Sequence, residues 1–135
     1  AQHLNHVCIA VRDIEDTLRF YQDVFGTVGA DIEDLEDQGV RATLLRVGGS
    51  QLELIEPTEP AGSVARFIES RGEGLHHMCF EVEDLPGTLK RLDGAGVELI
   101  DSAPRDGLSG SIAFIHPKAT RGVLIELVDS DTARR

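Results

Sequence analysis

One phrase occurs twice in this chain and sets its architecture. Leu4 to Leu18 reads LNHVCIAVRDIEDTL, and Leu75 to Leu89 reads LHHMCFEVEDLPGTL. The two coincide at Leu4/Leu75, His6/His77, Cys8/Cys79, Val11/Val82, Asp13/Asp84, Thr17/Thr88 and Leu18/Leu89, each pair 71 positions apart, as 6 and 77 are. A second echo sets Leu52-Glu53-Leu54 against Ile125-Glu126-Leu127 at an offset of 73. Self-similarity at a near-constant offset marks a repeated supersecondary unit. Each copy carries one histidine early and one glutamate late, both set in apolar sequence.

Local patterning gives the unit its shape. Leu4 to Val11 alternates as a strand, with Leu4, His6, Cys8 and Ala10 on one face and Val7, Ile9 and Val11 on the other. Asp13 is an N-cap for a helix whose apolar side is Ile14, Leu18, Tyr21 and Phe25, with Gly26 at its end. The stretch from Gly26 to Gln38 holds the acidic run DIEDLED, which reads as solvated strand and loop. Two strands follow, Val40 to Val47 and Gln51 to Glu56, joined by the hairpin signal Gly48-Gly49-Ser50. Pro57 to Gly62 is linker-like, and the module boundary is placed there, giving modules 1–60 and 61–135 of a single domain. A short helix capped by Ser63 runs to Arg71, with Val64, Phe67 and Ile68 on its apolar side.

The second copy repeats the plan. A strand covers Leu75 to Val82, Asp84 caps a helix through Leu85, Leu89 and Leu92, and Pro86 falls in its first turn, where a missing N–H costs little. Val97 to Ile100 reads as a short strand, Pro104 to Gly110 as a loop, and Ser111 to Ile115 and Gly122 to Val128 as the last strands, followed by a frayed tail from Asp129. Each half is therefore β-α-β-β-β, and the class is α+β. Two such modules pair into a curved, cup-like mixed sheet with helices outside and polar residues on the concave face.

A lone buried glutamate is disfavoured unless it is paired or bound to a cation. Here four residues, His6, Glu53, His77 and Glu126, come as repeat mates, and a twofold-like repeat brings equivalent strands together. Two imidazoles and two carboxylates suit one divalent ion of cobalt, nickel, manganese, zinc or iron. His76 and His116 have no histidine mates, and the reading leaves both outside that set.

The net charge of −11 excludes nucleic acid and anionic membrane as partners, while a local basic patch still admits an anionic small molecule. No apolar run approaches the ~20 residues that span a bilayer, and no leader pattern opens the chain, so the cytoplasm is the default compartment. Two cysteines are too few for a disulfide scaffold and read as reduced core thiols.

These phrases resemble the vicinal oxygen chelate superfamily. More narrowly, GEGLHHMCFEV, FIHPK and RGVLIELVD resemble the methylmalonyl-CoA epimerase family, from LNHV to IELV. The resemblance implies His6, Glu53, His77 and Glu126 as metal ligands, an acyl-CoA substrate and a homodimer. It implies interconversion of (R)- and (S)-methylmalonyl-CoA by removing and returning the α-proton, with a Lewis-acid ion stabilising the enolate. An epimerase needs a base on each side of that carbon. Some members carry a glutamate in the phrase after QGV where this chain has Ala42, and those members tend to have glutamine at the place of Glu53. The expectation for this chain is that Glu53 and Glu126 are themselves the acid/base pair. Gln38, Arg105, Lys118 and Arg121 are the candidates for substrate contacts. The rival readings are a glyoxalase I-type isomerase, which shares the ligand set, and a metal-free small-molecule-binding or resistance protein of the same fold. A ring-cleaving dioxygenase would want an open two-histidine, one-carboxylate site, against which Glu53 argues.

Overall fold

The first copy of the repeated phrase forms strand β1 (His3–Ala10) and helix α1 (Ile14–Phe25). A computed structural model describes residues 1–27 and 31–135; positions 28–30, just before the acidic run, lie outside the described residues. The order continues with β2 (Glu33–Leu35), a 3-10 turn (Glu36–Gln38), β3 (Val40–Val47), β4 (Ser50–Pro57) and α2 (Ser63–Arg71). The second copy supplies β5 (Gly74–Val82), α3 (Leu85–Gly94), β6 (Arg105–Gly107), β7 (Gly110–Ile115), a second 3-10 turn (Pro117–Thr120) and β8 (Ile125–Asp129).

The chain divides into two units, one of Val7–His76 and one of Ala1–His6 with His77–Arg135. In the first, the strand order is β2-β3-β4-β1, with β1 and β4 parallel and the other pairs antiparallel. In the second it is β5-β8-β7-β6, with β5 and β8 parallel. Both are the βαβββ plan, in which the helix is the crossover that a parallel pair requires.

The two helices start alike. Asp13 accepts from the Asp16 amide at 3.0 Å, and Asp84 accepts from Gly87 at 3.2 Å. The next amide in each case finds a carboxylate at the end of the parallel strand: Ile14 N donates to Glu56 at 2.9 Å, and Leu85 N to Asp129 at 3.1 Å. Carboxylates at these positions satisfy orphan amides and oppose the positive helix end.

Each helix covers one sheet face. In one unit Val11, Ile14, Leu45, Leu52 and Leu54 are buried with Val7, Ile9, Leu18 and Tyr21 packed on them. In the other, Val82, Leu85, Leu89, Ala113, Ile115, Ile125 and Leu127 are buried with Met78, Phe80 and Leu92 against them. Phe25 departs from expectation: it is 62% exposed, its ring touching only the neighbouring helix rings of Phe20 and Tyr21 among the ring contacts described.

Three other expectations are corrected. Val97 to Ile100 makes a single bridge, Leu99 to Ile115, and the outer strand is instead β6, inside the segment read as loop. Helix α2 is preceded by Gly62 with no side-chain cap, so Ser63 is its first residue rather than its cap. The tail is tied down: the Arg134 amide donates to the Ser109 carbonyl at 2.8 Å, and the Arg135 guanidinium meets Glu81 at 2.6 Å. Among the described residues no helix is long and apolar enough to cross a membrane.

Candidate metal centre

Strand alternation delivers the centre. On β5, His77, Cys79 and Glu81 share one face, and all three are buried. Parallel pairing sets Glu126 of β8 beside Cys79. The His6 Nε2 atom lies 3.1 Å from Glu126 Oε1 and 3.3 Å from His77 Nε2, and His77 Nε2 lies 3.4 Å from the same oxygen. The three residues are at most 6% exposed.

This donor set fits a divalent ion. Two Nε2 atoms facing each other share at most one proton, whereas a cation satisfies both lone pairs and neutralises a buried carboxylate. The spacing also fits, since ligand atoms about 2.0–2.2 Å from a common ion stand about 3.0–3.5 Å from each other. His77 packs edge-on against Phe114, ring centroids 5.4 Å apart, which fixes its plane.

Glu53, the remaining member of the expected set, belongs to the other unit. It is 6% exposed on β4 and lies beside Cys8 across the parallel pair with β1, the register that Glu126 has with Cys79. The repeat in sequence is thus a repeat in pairing. Both cysteines are buried thiols outside any disulfide. Ala42 is fully buried and pairs with Ile55 on one side and Glu33 on the other. Glu33 therefore shares the sheet face of Ile55 and Glu53, a carboxylate the acidic run concealed.

His6 is held by a residue that sequence reading passed over. Its Nδ1 is 2.7 Å from Asn5 Oδ1, and the Asn5 amide nitrogen donates to Glu81 at 2.9 Å. Burial pushes the Glu81 carboxyl up, but hydrogen bonds from Arg135, Asn5 and His3 outweigh it and hold it down at about 2. The signal for Glu81 was its place two residues after Cys79 on the inward face of an apolar strand.

The other expected residues are peripheral. Arg105 pairs with Asp101 at 3.1 Å and lies 5.4 Å over the Phe114 ring, which also packs against His77. Lys118 and Arg121 are exposed at the second 3-10 turn, and Gln38 is half-buried at the end of the first. His116 Nδ1 accepts from the Lys118 amide at 3.1 Å. His76 packs against Phe67, ring centroids 4.8 Å apart. A cluster of Asp13, Glu15 and Glu56 is structural: Arg41 bonds Glu15 at 2.5 Å and Glu56 at 3.0 Å, while Asp13 and Glu56 cap α1. The Arg41 hydrogen bond keeps the Glu15 carboxyl below its usual range, and in turn Glu15 raises Arg41.

The fold and the two-histidine, carboxylate centre define a class. The chain belongs to the Glyoxalase/Bleomycin resistance protein/Dioxygenase superfamily, whose model matches residues 5–114. Among similar proteins is YqjC of Bacillus subtilis, an uncharacterized protein, 42% identical over 93% of this chain and 91% of that one. The ethylmalonyl-CoA/methylmalonyl-CoA epimerase of Cereibacter sphaeroides is 35% identical over 92% of this chain and 95% of its own. A Streptomyces coelicolor methylmalonyl-CoA epimerase variant, solved in complex with 2-nitronate-propionyl-CoA, superposes with a TM-score of 0.91 at 32% identity, covering 99% of both chains.

Proposed function

We propose that this chain is a metal-dependent epimerase that interconverts (R)- and (S)-methylmalonyl-CoA. The observation that carries the reading is the buried convergence of His6, His77 and Glu126, set in a chain similar over nearly its full length to methylmalonyl-CoA epimerases. Glu53 is the fourth ligand, supported by the register it shares with Glu126. The donors of nitrogen and oxygen suit cobalt, nickel, manganese, zinc or iron.

A divalent ion bound there supplies Lewis-acid stabilisation of the negative charge that develops on the substrate's carbonyl oxygens. The protein's own groups move the proton. Glu126 and Glu53 are the acid/base pair, one taking the α-proton from one face and the other returning a proton to the opposite face. Both glutamates are buried, at 5% and 6% exposure, so bulk water does not compete for the proton they carry. Buried apolar neighbours such as Ile112 and Val128 limit solvent access.

Contacts to the acyl-CoA come from cationic and amide side chains. Arg105 is the best placed, held over Phe114; Lys118, Arg121 and Gln38 complete the set. We also take the chain to act in the cytoplasm as a homodimer, and the two repeats as modules 1–60 and 61–135 of one domain.

Incubation with methylmalonyl-CoA in D2O, followed by NMR of the α-position, tests the function. Deuterium should enter at the α-carbon with metal-loaded protein and slow by two orders of magnitude or more, roughly, once a chelator strips the ion. Exchange indifferent to the chelator overturns the metal dependence. Absence of exchange with loaded protein overturns the reaction and leaves a glyoxalase-type isomerase or a binding protein.

A further inference from the structure

We propose that Asn5, anchored by Glu81, is a positioning residue that fixes which nitrogen of His6 faces the bound ion. The inference rests on the metal reading of His6, His77 and Glu126.

The argument is one of donors and acceptors. The buried Asn5 amide nitrogen lies 2.9 Å from Glu81 Oε2 and 3.0 Å from the Arg134 carbonyl. A carboxylate and a carbonyl only accept, so the amide must present its two N–H groups to them. Its oxygen is thereby turned to His6, 2.7 Å from Nδ1. An amide oxygen only accepts, so Nδ1 carries a proton, and Nε2 is the nitrogen left for a cation. Nε2 is also the atom that points toward His77 and Glu126. Rotating the amide by half a turn would set its oxygen against two acceptors at once, and Asn5 is only 4% exposed.

Glu81 makes this arrangement stiff. It is fully buried and also accepts from His3 at 2.7 Å and Arg135 at 2.6 Å. Three donors converge on one carboxylate, so it cannot turn away from Asn5 without losing them. The relay does not follow from the duplication. At the offset of 71 the counterparts of Asn5 and Glu81 are His76 and Ala10, neither able to play these parts.

The test is divalent affinity and imidazole NMR on the whole chain, with cobalt and zinc as probes. Competition against a chelator should show Asn5→Ala binding cobalt about 10–100-fold more weakly than the parent protein. Glu81→Gln, which offers one acceptor where three donors meet, should fall between. In the zinc-loaded parent, nitrogen-15 NMR should place the His6 proton on Nδ1 and zinc on Nε2. That measurement needs no variant and stands even where a substitution impairs folding. Zinc on Nδ1 of His6, or unchanged cobalt affinity in a folded Asn5→Ala protein, overturns the positioning role. A parent protein that binds neither ion overturns the metal reading itself, and this proposal with it.

Discussion

Glu126 lies directly beside Cys79 across the parallel pair β5–β8, and the thiol is fully buried. The small side chain leaves the glutamate room to reach the two histidines. Cys79→Leu should therefore lower stability by about 1–3 kcal/mol through overpacking, and it should weaken metal binding as well. Cys79→Ala, which removes bulk, should leave metal affinity close to that of the parent. Thermal unfolding and chelator competition on both variants check the pair; equal metal affinity in the leucine variant would show that Glu126 does not depend on this neighbour.

Removing one member of the proposed acid/base pair should split the reaction. Glu53→Gln keeps an oxygen donor but cannot take a proton, so epimerisation should fall by about 10²–10⁴-fold. Exchange of the α-proton from one stereoisomer, which the proposal assigns to Glu126, should outlast it. Chiral analysis of the acyl-CoA beside deuterium uptake reads both rates. Full epimerase activity in a metal-loaded Glu53→Gln protein would sink the paired-glutamate scheme.

Glu81 should give the fold a measurable acid dependence. Its folded value of about 2 lies below the ordinary 4.5, so its contribution is present in full above the unfolded value. It is lost as pH falls from 4.5 toward 2. The groups facing it are His3, Asn5 and Arg135. Glu81→Gln should cost on the order of 1.5–3 kcal/mol at neutral pH, as for a lost charged hydrogen bond. Denaturant titrations should show the two proteins converging as pH drops through that window; a constant gap would mean that Glu81 is not the titrating group.

Gly110 tests the docking of the tail. Its φ is +137°, and a Cβ there would stand 2.7 Å from the Thr132 carbonyl oxygen. Thr132 in turn accepts from the Ser111 amide at 2.9 Å. Gly110→Ala should therefore destabilise by about 1–3 kcal/mol and raise amide exchange in residues 129–135. Unchanged exchange there would show that the tail is held from elsewhere.

Much of this was legible because duplication writes geometry into sequence. The match of His6 with His77 and of Glu53 with Glu126 carried strand, face and register together, since parallel pairing places both glutamates beside equivalent cysteines. What escaped depends on partners far away in the chain. Arg135 reads as tail until Glu81, 54 residues earlier, is known to be buried and charged. Residues 105–107 carry loop residues and form a strand because β7 offers them an edge, whereas Val97 to Ile100 has the better strand composition and makes one bridge. Nothing in the sequence around Asn5 marks it, and only the positions of Glu81 and the Arg134 carbonyl give its amide a direction.

The three side chains that meet at the centre come from positions 6, 77 and 126. A chain released from the ribosome anywhere short of position 126 holds two of them at most. On the proposed metal reading, the site cannot form until synthesis has passed position 126 and β8 has paired with β5. Because an ion that binds only the native form shifts the balance toward it, metal content per chain should then track the folded fraction.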